Sequence, residues 1–243
     1  MSLPYRYPSP PSAPAPSAPP VSRMAIELGG FRDFVRLGLS GFRPRPLVRP
    51  SGETVILIPG WKAPEASMAP MRNYLRSLGV DARHWGLGTN QGDPERDREI
   101  MLGRISDLVA ELGKPVVLVG WSLGGVIARE IAREEPELVS RVITYGTPVI
   151  GGPSYTTAAR AFGREECERI TQLSEELDRD DPIQVPISAI FTRRDGIVEW
   201  SACIDRNSSQ VTHFEVGSTH LSMGFDPDVW RIVASEIGLA KTQ

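Results

Sequence analysis

The pentapeptide Gly120-Trp121-Ser122-Leu123-Gly124 follows the apolar run Pro115-Val116-Val117-Leu118-Val119 and precedes a stretch with helical spacing. A strand that turns sharply into a helix at a serine, with glycine on both sides, is a nucleophile elbow. The turn strains the serine backbone and leaves no room beside it, and glycine meets both demands by lacking a Cβ. The Ser122 hydroxyl would then project clear of the sheet, near the positive end of the following helix. Its chemistry would be attack on a carbonyl. In a chain with 23 glycines the pentapeptide alone can arise by chance. The β-branched strand before it raises it above chance, as does the helix after it, with Val126, Ile127, Ile131 and Ala132 on one side and an end near Pro136.

A serine hydroxyl needs a base to take its proton and a third group to orient that base. The chain has three histidines. His84 lies on a short strand before Trp85, and His213 lies inside the final strand, where a core role is expected. His220 falls in Gly217-Ser218-Thr219-His220, a loop after that strand, where a base can reach a site above the sheet. Asp195 sits where the run 187–192 leaves its strand and is followed by Gly196. Asp205, in a polar loop, and the pair Asp180 and Asp181, before the strand, are the competitors, and a turn-forming role is the plain alternative for Asp195. The order Ser122, Asp195, His220 favours the catalytic assignment. For the oxyanion, one donor is the backbone N–H of Leu123. The other is expected in the loop Pro59-Gly60-Trp61-Lys62, at the N–H of Trp61.

The elements that must position these groups alternate regularly. Strands are predicted over 54–58, 82–87, 115–120, 141–145, 187–193 and 211–216, and helices over 68–78, 95–112, 123–135 and 228–239. Such alternation implies a mostly parallel sheet with helices on both faces. An amphipathic helix interrupted by Gly29-Gly30 is expected over 24–39. The segment 150–183, rich in Glu, Arg and Ala, reads either as a small cap over the site or as a plain, extended crossover helix. Residues 1–22 form a Pro/Ser-rich tail, expected to be disordered or polyproline-like, with a proline-recognition ligand as the alternative. Residues 23–243 read as one domain.

Composition narrows the partners. Apolar content of 40% and charged content of 23% are ordinary for a globular chain of 243 residues. A net charge of −3 gives no electrostatic reason to expect nucleic acid or an anionic membrane. Arg43, Arg45 and Arg49 lie in a Pro-rich stretch that reads as a solvated loop. Cys167 and Cys203 show neither metal spacing nor a disulfide framework, so a reduced, cytoplasmic protein is expected. No apolar run is long enough to span a bilayer, and no secretory signal is evident at the N-terminus.

The chain resembles the α/β-hydrolase superfamily, in its lipase and carboxylesterase branch. The resemblance rests on Ile58-Pro59-Gly60-Trp61, Gly120-Trp121-Ser122-Leu123-Gly124-Gly125, Arg194-Asp195-Gly196-Ile197-Val198 and Gly217-Ser218-Thr219-His220. It covers the chain from Thr54 to the last helix, and Tyr145-Gly146-Thr147-Pro148 is similar to a strand end of triacylglycerol-lipase-like members. Two departures stand out. The family's frequent His-Gly pair is Pro59-Gly60 here, and its usual first two antiparallel strands are not evident before Thr54. The resemblance implies hydrolysis of carboxylic esters through an acyl-enzyme, without metal or cofactor. Thioester, amide and lactone cleavage need the same machinery, and some members keep the fold only as a ligand receptor. Trp61, Trp121, Val149 and Ile150 suit an acyl chain, or else pack the upper rim of the sheet.

Overall fold

Alternation within the buried runs sorts their side chains onto two faces of one sheet. The structure, a computed structural model, describes residues 5–7, 9–39, 46 and 52–239. Its strands are Tyr5–Tyr7 (β1), Thr54–Ile58 (β2), Asp81–His84 (β3), Val116–Trp121 (β4), Val139–Tyr145 (β5), Ile187–Phe191 (β6) and Val211–Glu215 (β7). The helices are Phe31–Leu39 (α1), Ala69–Ser77 (α2), Pro94–Leu112 (α3), Leu123–Glu134 (α4), Ala159–Phe162 (α5), Arg164–Asp180 (α6) and Pro227–Leu239 (α7). Val55 and Leu57 of β2, with Val117 and Val119 of β4, join the core shared with Met71, Leu75, Trp230 and Val233 of α2 and α7. Ile56, Ile58, Val116 and Leu118 point the other way, onto Met101, Ile105, Ile127 and Ile131 of α3 and α4. Removing each such aliphatic side chain from water contributes about 1.5–3 kcal/mol, which is why doubly buried strands read as unbroken apolar runs.

The sheet order is β1-β7-β6-β5-β4-β2-β3. All pairings from β3 to β7 are parallel. The chain steps outward from β2 to β3 and then returns to place β4 on the other side of β2, so the order reverses between β2 and β4. Loops leaving the carboxyl ends of these two strands diverge there, and such switch points open a crevice for ligands. Local signals agree with the ends of the elements. Asp93 accepts the N–H of Arg96 at 3.1 Å ahead of α3, which carries Pro94 at its start, and Gly113 closes it in the left-handed region.

The N-terminal region differs from a free tail. Tyr5–Tyr7 pairs antiparallel with β7, and Tyr7 and Ala13 pack on Phe191 and its neighbours. Tyr7 and Glu215 also share a short hydrogen bond. Aromatic residues among the prolines supply the contact that composition alone obscures. Instead of one interrupted helix over 24–39, Val21–Gly30 forms 3₁₀ turns and α1 begins at Phe31. Among the described residues, the one antiparallel strand thus precedes β2 in the chain but lies at the β7 edge of the sheet, away from β2. The stretch carrying Arg43, Arg45 and Arg49 lies outside the described residues. Among those described, no helix is long and apolar enough to cross a membrane.

Candidate active site

Ser122 stands between β4 and α4 with φ 52° and ψ −122°, a conformation that a residue with a side chain rarely adopts. Close packing enforces it. A Cβ at Gly120 would lie 2.4 Å from the Gly125 backbone, and one at Gly124 would lie 2.3 Å from the Ile58 carbonyl oxygen. The serine N–H donates to the Tyr145 carbonyl at 3.0 Å, which ties the elbow to the end of β5. Among the described residues, only Ser122 and Lys62 combine a side chain with positive φ, and Lys62 lies in the loop after β2. Strain therefore concentrates on both sides of the β2/β4 switch point.

Asp195 and His220 are brought together by the loops after β6 and β7. Asp195 Oδ2 lies 2.7 Å from His220 Nδ1. The other carboxylate oxygen, Oδ1, accepts the N–H groups of Ile197 at 2.9 Å and Val198 at 2.7 Å, so one side chain both forms the turn and contacts the imidazole. Both residues are buried, at 1% and 2% exposure. Burial opposes a charge on the imidazole, but the Asp195 carboxylate and then Glu27 outweigh it, and His220 is held above its ordinary value. With Nδ1 facing the carboxylate, Nε2 is the nitrogen left to act as a base. The His220 ring lies 5.7 Å from that of Trp121. Gly146, which follows Tyr145, packs so close beneath it that a Cβ would come within 2.9 Å of Nδ1. Among the described residues, no hydrogen bond joins Ser122 Oγ to the ring; such bonds commonly tighten only when substrate is bound.

The loop after β2 closes the site from the other side. A Cβ at Gly60 would lie 3.2 Å from that of Ser122. Among the described residues, neither the Trp61 N–H nor the Leu123 N–H donates to a protein acceptor. For Leu123 this follows from its place at the start of a helix. The loop is held by Asn90, which the sequence reading did not single out. Its Nδ2 donates to the Pro59 carbonyl at 2.9 Å, its carbonyl accepts the Lys62 N–H at 2.8 Å, and its Oδ1 accepts the Gly92 N–H at 3.0 Å. Asn90 is fully buried. In sequence it is one polar residue of a turn-rich loop, and nothing local marks it.

The competing residues sit elsewhere. His213 is buried and its Nε2 accepts the Asp205 N–H at 3.0 Å; burial pushes it down to about 4, despite the nearby Asp205 carboxylate. Asp205 pairs with buried Arg129 at 2.6 Å. His84 is half exposed beside Glu65, while Asp180 ends α6. Val149 and Ile150 donate backbone N–H groups to the Ala202 carbonyl at 2.8 and 3.1 Å. The 150–183 insertion folds into α5 and α6 and carries Phe162, whose ring lies 5.7 Å from that of Trp61.

A family model described as "Alpha/beta hydrolase family" matches residues 55–233. The chain belongs to the alpha/beta hydrolase family. The chain is 34% identical over 94 residues to a pimeloyl-[acyl-carrier protein] methyl ester esterase of Aromatoleum aromaticum, a match covering 38% of this chain and 36% of that protein. It is 27% identical over 138 residues to the like-named esterase of Aliivibrio salmonicida, covering 55% of this chain and 49% of the relative. The alignments thus span only about a third to a half of these two relatives. A solved structure titled for LipS and LipT, two metagenome-derived lipolytic enzymes, superposes on this chain with a TM-score of 0.61. It is 15% identical and covers 82% of this chain and 98% of that one, a likeness of fold.

Proposed function

We propose that this hydrolase cleaves carboxylic esters through an acyl-enzyme formed on Ser122. The observations that carry this reading are the buried Asp195–His220 pair and a serine held strained at the switch point of the sheet. His220 Nε2 takes the Ser122 proton as Oγ attacks the ester carbonyl carbon, and Asp195 stabilises the imidazolium that results. The carbonyl oxygen becomes an oxyanion received by the N–H groups of Trp61 and Leu123. Collapse expels the alcohol, which takes the proton from His220. Water then repeats the cycle and releases the acid. This chemistry requires no metal or cofactor.

The names of the two relatives support ester cleavage and a small alcohol as leaving group. Trp121, beside His220, is a wall of the acyl site, with Val149 and Ile150 at its margin. We read 150–183 as a cap, supported by Phe162 against Trp61, on a single domain over 23–243. Two unpaired cysteines fit a reducing cytoplasm.

The test is a chain-length series of p-nitrophenyl esters run beside acyl-CoA thioesters, with a fluorophosphonate probe for the nucleophile. Ester turnover and labelling of Ser122 support the proposal. Preference for acyl-CoA would make the protein a thioesterase. Neither turnover nor labelling would indicate a ligand-binding member of the family without catalysis.

A further inference from the structure

The segment Val21–Gly30 lies before the residues matched by the family model, yet it reaches the loops that carry the acid and the base. Glu27 Oε1 accepts the N–H of Gly196 at 2.8 Å and the N–H of His220 at 3.2 Å. Its Oε2 accepts the N–H of Leu221 at 2.8 Å. One carboxylate thus bridges the residue after Asp195 to His220 itself, across a gap of 24 positions from 196 to 220. The approach is close on both sides. A Cβ at Gly196 would lie 2.7 Å from the Arg23 carbonyl oxygen, and one at Gly30 would lie 2.8 Å from Ser222 Cβ. Arg23 also pairs with Glu199, past the acid loop, and Asp33 of α1 accepts the Ser222 hydroxyl at 2.6 Å behind the base loop.

Building on the assignment of His220 as the base, we infer that Glu27 is a positioning residue for the reaction, clamping the Asp195 and His220 loops in register from outside the family-matched region. Backbone N–H groups at a turn are oriented donors, and a charged acceptor makes bonds about twice as strong as a neutral one. Three of them on one carboxylate fix where the imidazole can point. The clamp also sets local charge. Asp195 and Glu27 both bear on the imidazole and favour its charged form. Among the cations of this region are Arg23 of the Glu27 segment, which pairs with Glu199, and Arg194, whose Nη2 would lie 3.1 Å from a Cβ at Gly29. Asp33 of α1, with Arg36 3.4 Å from it, Arg32 of the same helix and Glu199 are further charged groups on the elements packed there.

The experiment compares full-length wild type, Glu27→Ala and Glu27→Gln. Their kcat, KM and pH profiles are measured on a p-nitrophenyl ester, and His220 is titrated by 13C NMR. Glu27→Ala removes the acceptors, and kcat should fall about tenfold or more, with KM changing by less than about twofold. Glu27→Gln keeps an acceptor and loses the negative charge. It should retain more of kcat, while the His220 titration and the acid limb of kcat/KM both move to lower pH. Packing alone would not move that limb. Undiminished kcat in Glu27→Ala, or coincident His220 titrations in wild type and Glu27→Gln, would overturn the inference. Should Glu27→Ala not fold, Glu27→Gln decides alone. If the wild type neither turns over esters nor labels, the ester hydrolase proposal has failed, and the NMR titrations still decide whether Glu27 governs His220.

Discussion

Asp195 Oδ2 and His220 Nδ1 lie 2.7 Å apart, on side chains that are both almost completely shielded from water. Burial makes the contact directional. The ring cannot turn away without leaving a carboxylate oxygen unpaired in the interior, which is costly. Asp195→Asn should therefore preserve the fold and lower kcat on p-nitrophenyl esters by roughly four orders of magnitude, as loss of the orienting acid does in serine proteases. A drop of less than about tenfold in steady-state kinetics would remove Asp195 from the mechanism.

Ser122→Ala should abolish ester turnover by at least about a thousandfold and eliminate fluorophosphonate labelling. Circular dichroism and thermal unfolding should match wild type, since the hydroxyl carries no structural hydrogen bond to His220. Retained turnover would exclude Ser122 as nucleophile.

The pH dependence follows from the raised His220. A base works only when neutral, so kcat/KM should climb with pH through a limb lying above the ordinary histidine value. His213, pushed down to about 4, is neutral throughout this range. Replacing it with glutamine should leave the limb where it was, and a pH–rate profile distinguishes the two histidines.

Asp205 contributes stability instead of chemistry. Burial alone would raise its pKa, but Arg129 and the Ser208 N–H outweigh this and hold it below the ordinary carboxylate value. A depressed acid stabilises the fold above the unfolded-state pKa of about 3.9 and loses that contribution as pH falls towards the folded value. Asp205→Asn should cost about 3 kcal/mol at pH 7 by removing the nearer carboxylate from buried Arg129, which leaves it, among the described residues, only Asp178 at 4.0 Å. The gap from wild type, measured by urea unfolding, should narrow progressively below about pH 4.

Gly124→Ala should destabilise the protein by at least about 2 kcal/mol, because the new methyl would meet the Ile58 carbonyl at 2.3 Å in a backbone-lined space that cannot yield. Thermal unfolding measures it. A neutral substitution would mean that the elbow is looser than its geometry implies.

Read alone, the chain determined whatever depends on neighbours in sequence. Unbroken apolar runs bounded by turn residues specified the parallel strands, since a strand buried on both faces has no polar side to show. Ser122 was legible because the elbow is a local device, glycine before and after a serine at a strand end. Asp195 and His220 were legible as loop residues after strands, for parallel strands deliver such loops to one edge. Tertiary structure alone decided the rest. Asn90 reaches back 31 positions to the Pro59 carbonyl, and Glu27 reaches forward 193 positions to the His220 N–H. The prolines of the N-terminal stretch concealed that Tyr5–Tyr7 completes the edge at β7. Contacts of that range leave no periodicity behind. Their partners are backbone atoms, identical at every residue, so only the folded path of the chain determines which ones meet.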